Sequence, residues 1–432
     1  MNIRLAGLAA ALLLGASAPA LAASAGGPKL DVIAKDFVAL TLEAGEREPG
    51  YVDAYYGPKA WADAAKANPR AVPALKAEAI RLTAATRAVD DASLTPDERR
   101  RKAFMLGQLK AAETRLAMLE GQKFSFQDEA EGLFSVRPPI KPLSSFDPIL
   151  ARIDKLVPGD GDLAARIDAF QSRYVIPADK LDAVMKAGIA ACKARTQAHI
   201  ALPKAEKFDL AFVTGKPWSG YNWYKGGAHS LIEINTDLPV AISRAVDLGC
   251  HEGYPGHHAL NVLLEDKLTK GKGWVEFSVY PLFSPQSLIA EGSANYGISL
   301  AFPGPEKVRF EREHLYPLAG LDPQTADAYD ALMTAKADLA SSENTIADAY
   351  LSGKMDKPTA VAALAKYGLS SVARAEKRLS FIETYRSYVI NYNLGQDMVR
   401  AHVERASASQ DARWKAMEAV ISQPTTPADL MK

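Results

Sequence analysis

Cysteine is nearly absent. Only Cys192 and Cys250 occur in 432 residues, too few for a disulfide scaffold. One bridge between them in an oxidising compartment and a pair of buried thiols are both open readings. Charge of either sign is not in excess, with 51 basic and 51 acidic residues. There is thus no basic surplus to recruit nucleic acid or an anionic membrane. Past the first 22 residues no run is long and apolar enough to cross a bilayer. Internal repeats and low-complexity linkers are also missing. Histidine is scarce, 7 in all, yet three lie within the eight residues His251 to His258.

The one apolar run is at the start. Arg4, the stretch Leu5 to Leu14 and the small-x-small triplet Ala20-Leu21-Ala22 read as a cleaved signal peptide over residues 1–22. The run is too short for a permanent anchor, and no cysteine near the cut would carry a lipid. A soluble exported product is expected, periplasmic or secreted. The remaining length suffices for one or two domains. The composition divides it into an N-terminal helical lobe, 23–200, and a second region, 201–432, that carries the chemistry.

The first region reads as successive helices. Thr95-Pro96-Asp97-Glu98 is a helix start, with a capping residue, proline in the first turn and early acids. Met105, Leu109, Ala112, Leu116 and Leu119 follow at helical spacing. After Leu202 glycine, proline and aromatic residues predict a loop. It leads into a short strand over Ser230–Asn235, with Ile232 and Ile234 on one face. Asp237 and Pro239 suit the start of a helix running straight into His251.

The sequence from His251 is His-Glu-Gly-Tyr-Pro-Gly-His-His. In the pattern HExxH two histidines one turn apart, about 40° around the helix, reach one ion. Here the partners of His251 are at i+6 and i+7, and an unbroken helix turns the first about 240° away. Pro255 and Gly256 supply the break. Proline removes a donor and clashes with the preceding turn, and glycine takes conformations other residues avoid. Bulging these two residues out restores HExxH. His251 and His257 are then the expected ligands, His258 an orienting or substrate-facing residue and the alternative second ligand, and Glu252 the base that activates water.

Two later segments extend the pattern. Glu291-Gly292 sits among small residues on a predicted helix, with Leu288, Glu291 and Asn295 on one stripe. Tyr385, Tyr388 and Tyr392 share a face of the last long helix, and Tyr392 begins Tyr-x-x-Gly395. In this order, from about residue 205 to 400, the motifs resemble the bacterial domain-of-unknown-function 885 family. That family is similar to helical zinc peptidases of the thimet oligopeptidase and carboxypeptidase Taq type. Ser293 stands where the family carries a bulky aromatic, and its Arg/Asp/His cluster between the Glu and Tyr segments is missing.

The resemblance implies a mainly α-helical zincin-like fold with a small edge-strand element. In it the strand before the metal helix pairs with substrate backbone, and Glu291 is the third ligand. Tyr392 donates to the developing oxyanion. The expected activity is zinc-dependent hydrolysis of a peptide, with zinc the cofactor and a peptide or other small molecule the partner. The same ion and base serve non-peptide esters or amides. An exported metal-containing binding protein without turnover is the third reading, against which Glu252 speaks, because holding zinc does not require it.

Overall fold

The computed structural model describes residues 26–216, 218–406 and 408–432, so the expected leader lies outside the described residues. The fold is mainly helical. The strands described are β1 (Val52–Tyr55), β2 (Lys207–Val213), β3 (Gly220–Gly226), β4 (His229–Asn235) and β5 (Val279–Pro281). β1 pairs with β5 antiparallel. The other sheet has the order β2-β4-β3, with β4 parallel to β2 and antiparallel to β3.

Local signals act as expected in the helix Pro96–Leu119. The Thr95 hydroxyl accepts from the Glu98 amide at 3.3 Å, and the Glu98 carboxylate accepts from the Thr95 amide at 2.8 Å. This reciprocal cap satisfies two amides that have no partner inside the helix. Met105, Leu109, Ala112 and Leu116 are buried, while Leu119 in the last turn is exposed. One apolar core, from Leu30 to Leu430, joins this layer to the rest of the chain.

At its centre lies the helix Pro285–Ala301, apolar or small on nearly every side and almost wholly buried, the pattern of a helix enclosed by neighbours. It crosses the helix Ile390–Ala406 backbone to backbone. A Cβ on Gly292 would come within 2.4 Å of the Gly395 carbonyl carbon. The glycines of Glu-Gly and Tyr-x-x-Gly therefore form one contact, which sets Glu291 against the tyrosines of the other segment.

The helix Leu181–Gln197 braces the histidine motif in a similar way. A Cβ on Gly188 would meet the Ala245 carbonyl oxygen at 2.4 Å. The Cys192–Cys250 disulfide joins this helix to the residue before His251, Cα to Cα 5.3 Å, so of the two readings of the cysteines the bridge is the one present.

Several expectations need correction. The strand predicted over Ser230–Asn235 is β4, beginning at His229, and it is the middle of its sheet. Paired on both sides, β4 has no edge to offer a substrate; the edge strand beside the site is β3, in a stretch read as loop. The next helix begins at Arg244, not near Asp237. Asp237 instead accepts from the amides of Gly215 and Lys216, at 2.9 and 3.3 Å, and so caps a loop. The long C-terminal helix is two, Val372–Tyr385 and Ile390–Ala406, divided by a tight turn at Arg386–Val389. Arg386, in that turn, pairs with the buried Glu129 at 2.7 Å.

Candidate metal centre

The histidine motif does not form one bulged helix. After Arg244–Leu248 the chain widens into a π turn over Gly249–Gly253, extends at Tyr254 and restarts as the helix His257–Leu264. Such wide turns are rare and concentrate at functional sites. Gly256 is required at the return. A Cβ there would lie 1.8 Å from the His251 carbonyl oxygen, so only glycine lets the chain fold back this closely. Pro255 packs against Gly297 of the central helix, where a Cβ would meet its ring at 2.7 Å. Broken in this way, the segment brings the Nε2 atoms of His251 and His257 to 3.1 Å.

Glu291 completes the cluster. Its Oε2 lies 3.3 Å from His251 Nε2 and 3.7 Å from His257 Nε2. One ligand atom from each of the three residues falls within a 4.8 Å spread. Two imidazoles and a carboxylate are a donor set suited to catalytic zinc. Glu291 Oε2 is also buried without a hydrogen-bond partner. A buried carboxylate oxygen left bare beside two ring nitrogens fits a group that coordinates all three.

The surroundings orient these donors. Glu291 Oε1 accepts from the Tyr388 hydroxyl at 2.8 Å, which turns Oε2 toward the histidines. Asn295, one turn on, donates through Nδ2 to the Tyr392 carbonyl at 2.9 Å, so its Oδ1 is left to accept from His251 Nδ1 at 2.9 Å. A proton held at Nδ1 leaves the Nε2 lone pair facing the cluster. Burial raises the Glu291 carboxyl, but the two histidines beside it outweigh that and hold it well below the usual carboxylate range. Burial lowers His257, and Glu291 more than reverses this, pushing it up to about 9.

The cluster opens into a cavity of about 860 Å³ that Glu252, Tyr385, Tyr388 and Tyr392 also line. Glu252 is 5% exposed, and no cation pairs with its carboxylate among the described residues. Gly220 of β3 presses against it, since a Cβ there would stand 3.0 Å from Glu252 Oε1. Tyr392 lines the cavity, and its hydroxyl has no hydrogen-bond partner among the described residues. Burial first, then the Glu291 charge, raise its pKa well above the ordinary phenol value, so it stays a neutral donor.

His258 is not brought to the cluster. Its ring is fully buried on the opposite side, with Nδ1 2.7 Å from Ser230 Oγ and Nε2 3.0 Å from Glu206 Oε2. Both nitrogens are spent, which corrects the expectation that it orients a ligand, meets substrate or stands in as second ligand. Sequence reasoning missed Tyr388, Asn295, Asp53 and Tyr221 as site residues. Tyr388 and Asn295 were visible as members of helical stripes, but nothing in the spacing said what they touch. Asp53 and Tyr221 belong to no motif.

No protein-family model matches this sequence, and no curated protein matches it. Among solved structures the chain is similar to a protein from Colwellia psychrerythraea described as a lipoprotein, with TM-score 0.52 and 14% identity. That likeness covers 82% of this chain and 65% of the other, so the chain spans just under two thirds of that protein's length. A protein of unknown function from Shewanella oneidensis, also described as a lipoprotein, gives TM-score 0.48 and 13% identity over 91% of this chain and 82% of its own. The M32 carboxypeptidase from Deinococcus radiodurans R1 gives 0.40 and 12%, with 94% of each chain covered. The first likeness speaks for a shared fold alone, and the other two are too distant to carry an argument.

Proposed function

We propose that the chain is an exported, zinc-dependent hydrolase acting on peptides. The observation that carries this reading is the meeting of His251, His257 and Glu291 beside Glu252 in one cavity. His251 and His257 through Nε2, and Glu291 through Oε2, would hold the ion. Bound there, it supplies Lewis-acid polarisation of a carbonyl and makes water more acidic.

The protein's own groups do the rest. Glu252 takes a proton from the attacking water and returns it to the leaving nitrogen. Among the described residues no cation competes for its carboxylate, which keeps it available as a base. Tyr392 donates its hydroxyl to the oxygen on which charge develops. Tyr388 is committed to Glu291 and serves to aim it. β3, the end strand of its sheet beside Glu252, would offer backbone groups to an extended substrate. His258 has no part in the reaction.

The test is the metal content of the purified protein, together with hydrolysis of peptide and ester libraries before and after chelation. One zinc per chain is expected, with peptide hydrolysis lost on chelation and restored by zinc. Hydrolysis that survives complete metal removal would overturn the reading, and turnover of esters alone would move it to another substrate class. Recovery of a native N-terminus near Ala23 from the periplasm would support export.

A further inference from the structure

The cavity wall carries a carboxylate for which the reaction has no use. Asp53 of β1 lines the same cavity as Glu252, His257 and Glu291. The Tyr221 hydroxyl of β3 donates to its Oδ1. A few residues on, a Cβ at Gly226 would meet Tyr56 at 2.8 Å. β1 and the residue after it are thus laid against β3 at two points, and Asp53 stands in the wall they form beside the reacting groups.

Its charge is unmatched. The arginines that line the cavity are Arg115, Arg244 and Arg378. Arg115 is taken by Glu48 at 3.0 Å, Arg378 by Glu343 at 2.6 Å, and Arg244 faces Asp247 at 3.9 Å. No cation pairs with Asp53 among the described residues. Among the described residues, the arginines of the cavity each face a carboxylate of the protein, whereas Asp53 is left to meet a substrate cation.

We propose that Asp53, positioned by Tyr221, receives the free α-ammonium of the substrate, so that the enzyme removes residues from peptide N-termini. This rests on the hydrolase reading above. In a peptide cleaved after its first residue, the ammonium is borne by the carbon next to the scissile carbonyl, so its anchor must stand beside the reacting centre. Asp53 shares the cavity wall with His257, Glu291 and Glu252. Burial pushes its pKa up to about 6, as expected of a carboxylate still lacking its counter-ion. Next to it the rings of Tyr221 and Trp223 lie 4.4 Å apart, and those of Trp218 and Tyr221 5.5 Å apart, an apolar face for the first side chain.

Calorimetry on the metal-loaded protein with L-phenylalaninol and N-acetyl-L-phenylalaninol tests the anchor without turnover. The free amine should bind about tenfold or more tightly than the acetylated probe. Asp53→Asn, which can still accept from Tyr221, should abolish that preference while metal content and melting temperature hold. Equal binding of the two probes by the unaltered protein, no binding of either, or a preference that survives Asp53→Asn would each overturn the proposal. Peptide assays separate the two readings. Cleavage of N-acetylated peptides as fast as free ones removes the Asp53 assignment and leaves the hydrolase. Discrimination between the probes without hydrolysis of any peptide does the reverse.

Discussion

His257 and His258 are neighbours in sequence that enter two clusters built on opposite terms. On the sheet side, His258 lies between Ser230 and Glu206, and Glu206 also takes Lys193 at 2.6 Å and the Tyr254 hydroxyl. Burial raises the Glu206 carboxyl, yet the bonds from His258, Lys193 and Tyr254 hold it down at about 2. On the cavity side, two ring nitrogens face each other at 3.1 Å and Glu291 Oε2 has no hydrogen-bond partner. The first cluster is complete within the protein and serves to hold the motif helix to the sheet. The second leaves a buried carboxylate oxygen without a hydrogen bond from the protein among the described residues. Buried polar atoms are nearly always satisfied, so the incomplete cluster is the one that points to a ligand.

The contrast breaks most directly by removing one histidine at a time. His257→Ala should lose both bound zinc and hydrolysis, read by elemental analysis and peptide assay. His258→Ala should keep the metal. Zinc lost from the second variant and kept by the first would exchange the two assignments.

Glu252→Gln tests the boundary of the metal cluster. It keeps the shape and removes the basicity, so kcat should fall about 10²-fold or more with zinc retained. An unchanged kcat would remove Glu252 from the mechanism.

Stability should report the sheet side. His258→Ala leaves Glu206 and Ser230 short of a buried partner and should cost about 2–4 kcal/mol in chemical denaturation. The same cluster sets a pH dependence. Glu206 is held below its ordinary 4.5 in the folded state, so its contribution is present above that value and is lost as pH falls toward 2. The loss approaches about 3 kcal/mol. His258, lowered chiefly by burial, works in the same direction: its neutral form favours folding above the ordinary histidine value and ceases to do so in acid. In Glu206→Gln the slope below pH 4.5 should flatten, and an unchanged slope would place the acid sensitivity elsewhere.

The smallest effect belongs to the crossing that carries Glu291. Gly292→Ala puts a methyl into the Gly395 backbone and should cost about 1–3 kcal/mol. It should also weaken zinc binding by displacing Glu291 from the histidines. Unchanged zinc affinity in a destabilised protein would show that the crossing serves packing alone.

Much of the site was legible because its chemistry is local. Three histidines and a glutamate with Pro255-Gly256 among them announce a broken helix around a metal, and the break is there. The cap at Thr95 was legible for the same reason, since its partners lie within one turn. Strand β3 was not, because its glycine and aromatic content reads as loop until a central β4 pairs with it. Asp237 has the right residue type for a helix cap, but the amides it found belong to another loop.

What the sequence determined by itself was the inventory: mostly helical elements, a histidine-flanked break at 255–256, and stripes containing Glu291, Asn295, Tyr388 and Tyr392. Only the tertiary structure decided which members meet. Adjacent helical residues point about 100° apart, so whether His257 or His258 faces the cavity depends on how the helix sits between the sheet and the central helix. That placement comes from Gly256, from Pro255 against Gly297, and from Ser230 and Glu206 awaiting His258. Asp53 and Tyr221 reach each other from strands 168 residues apart, a distance over which no local pattern carries information.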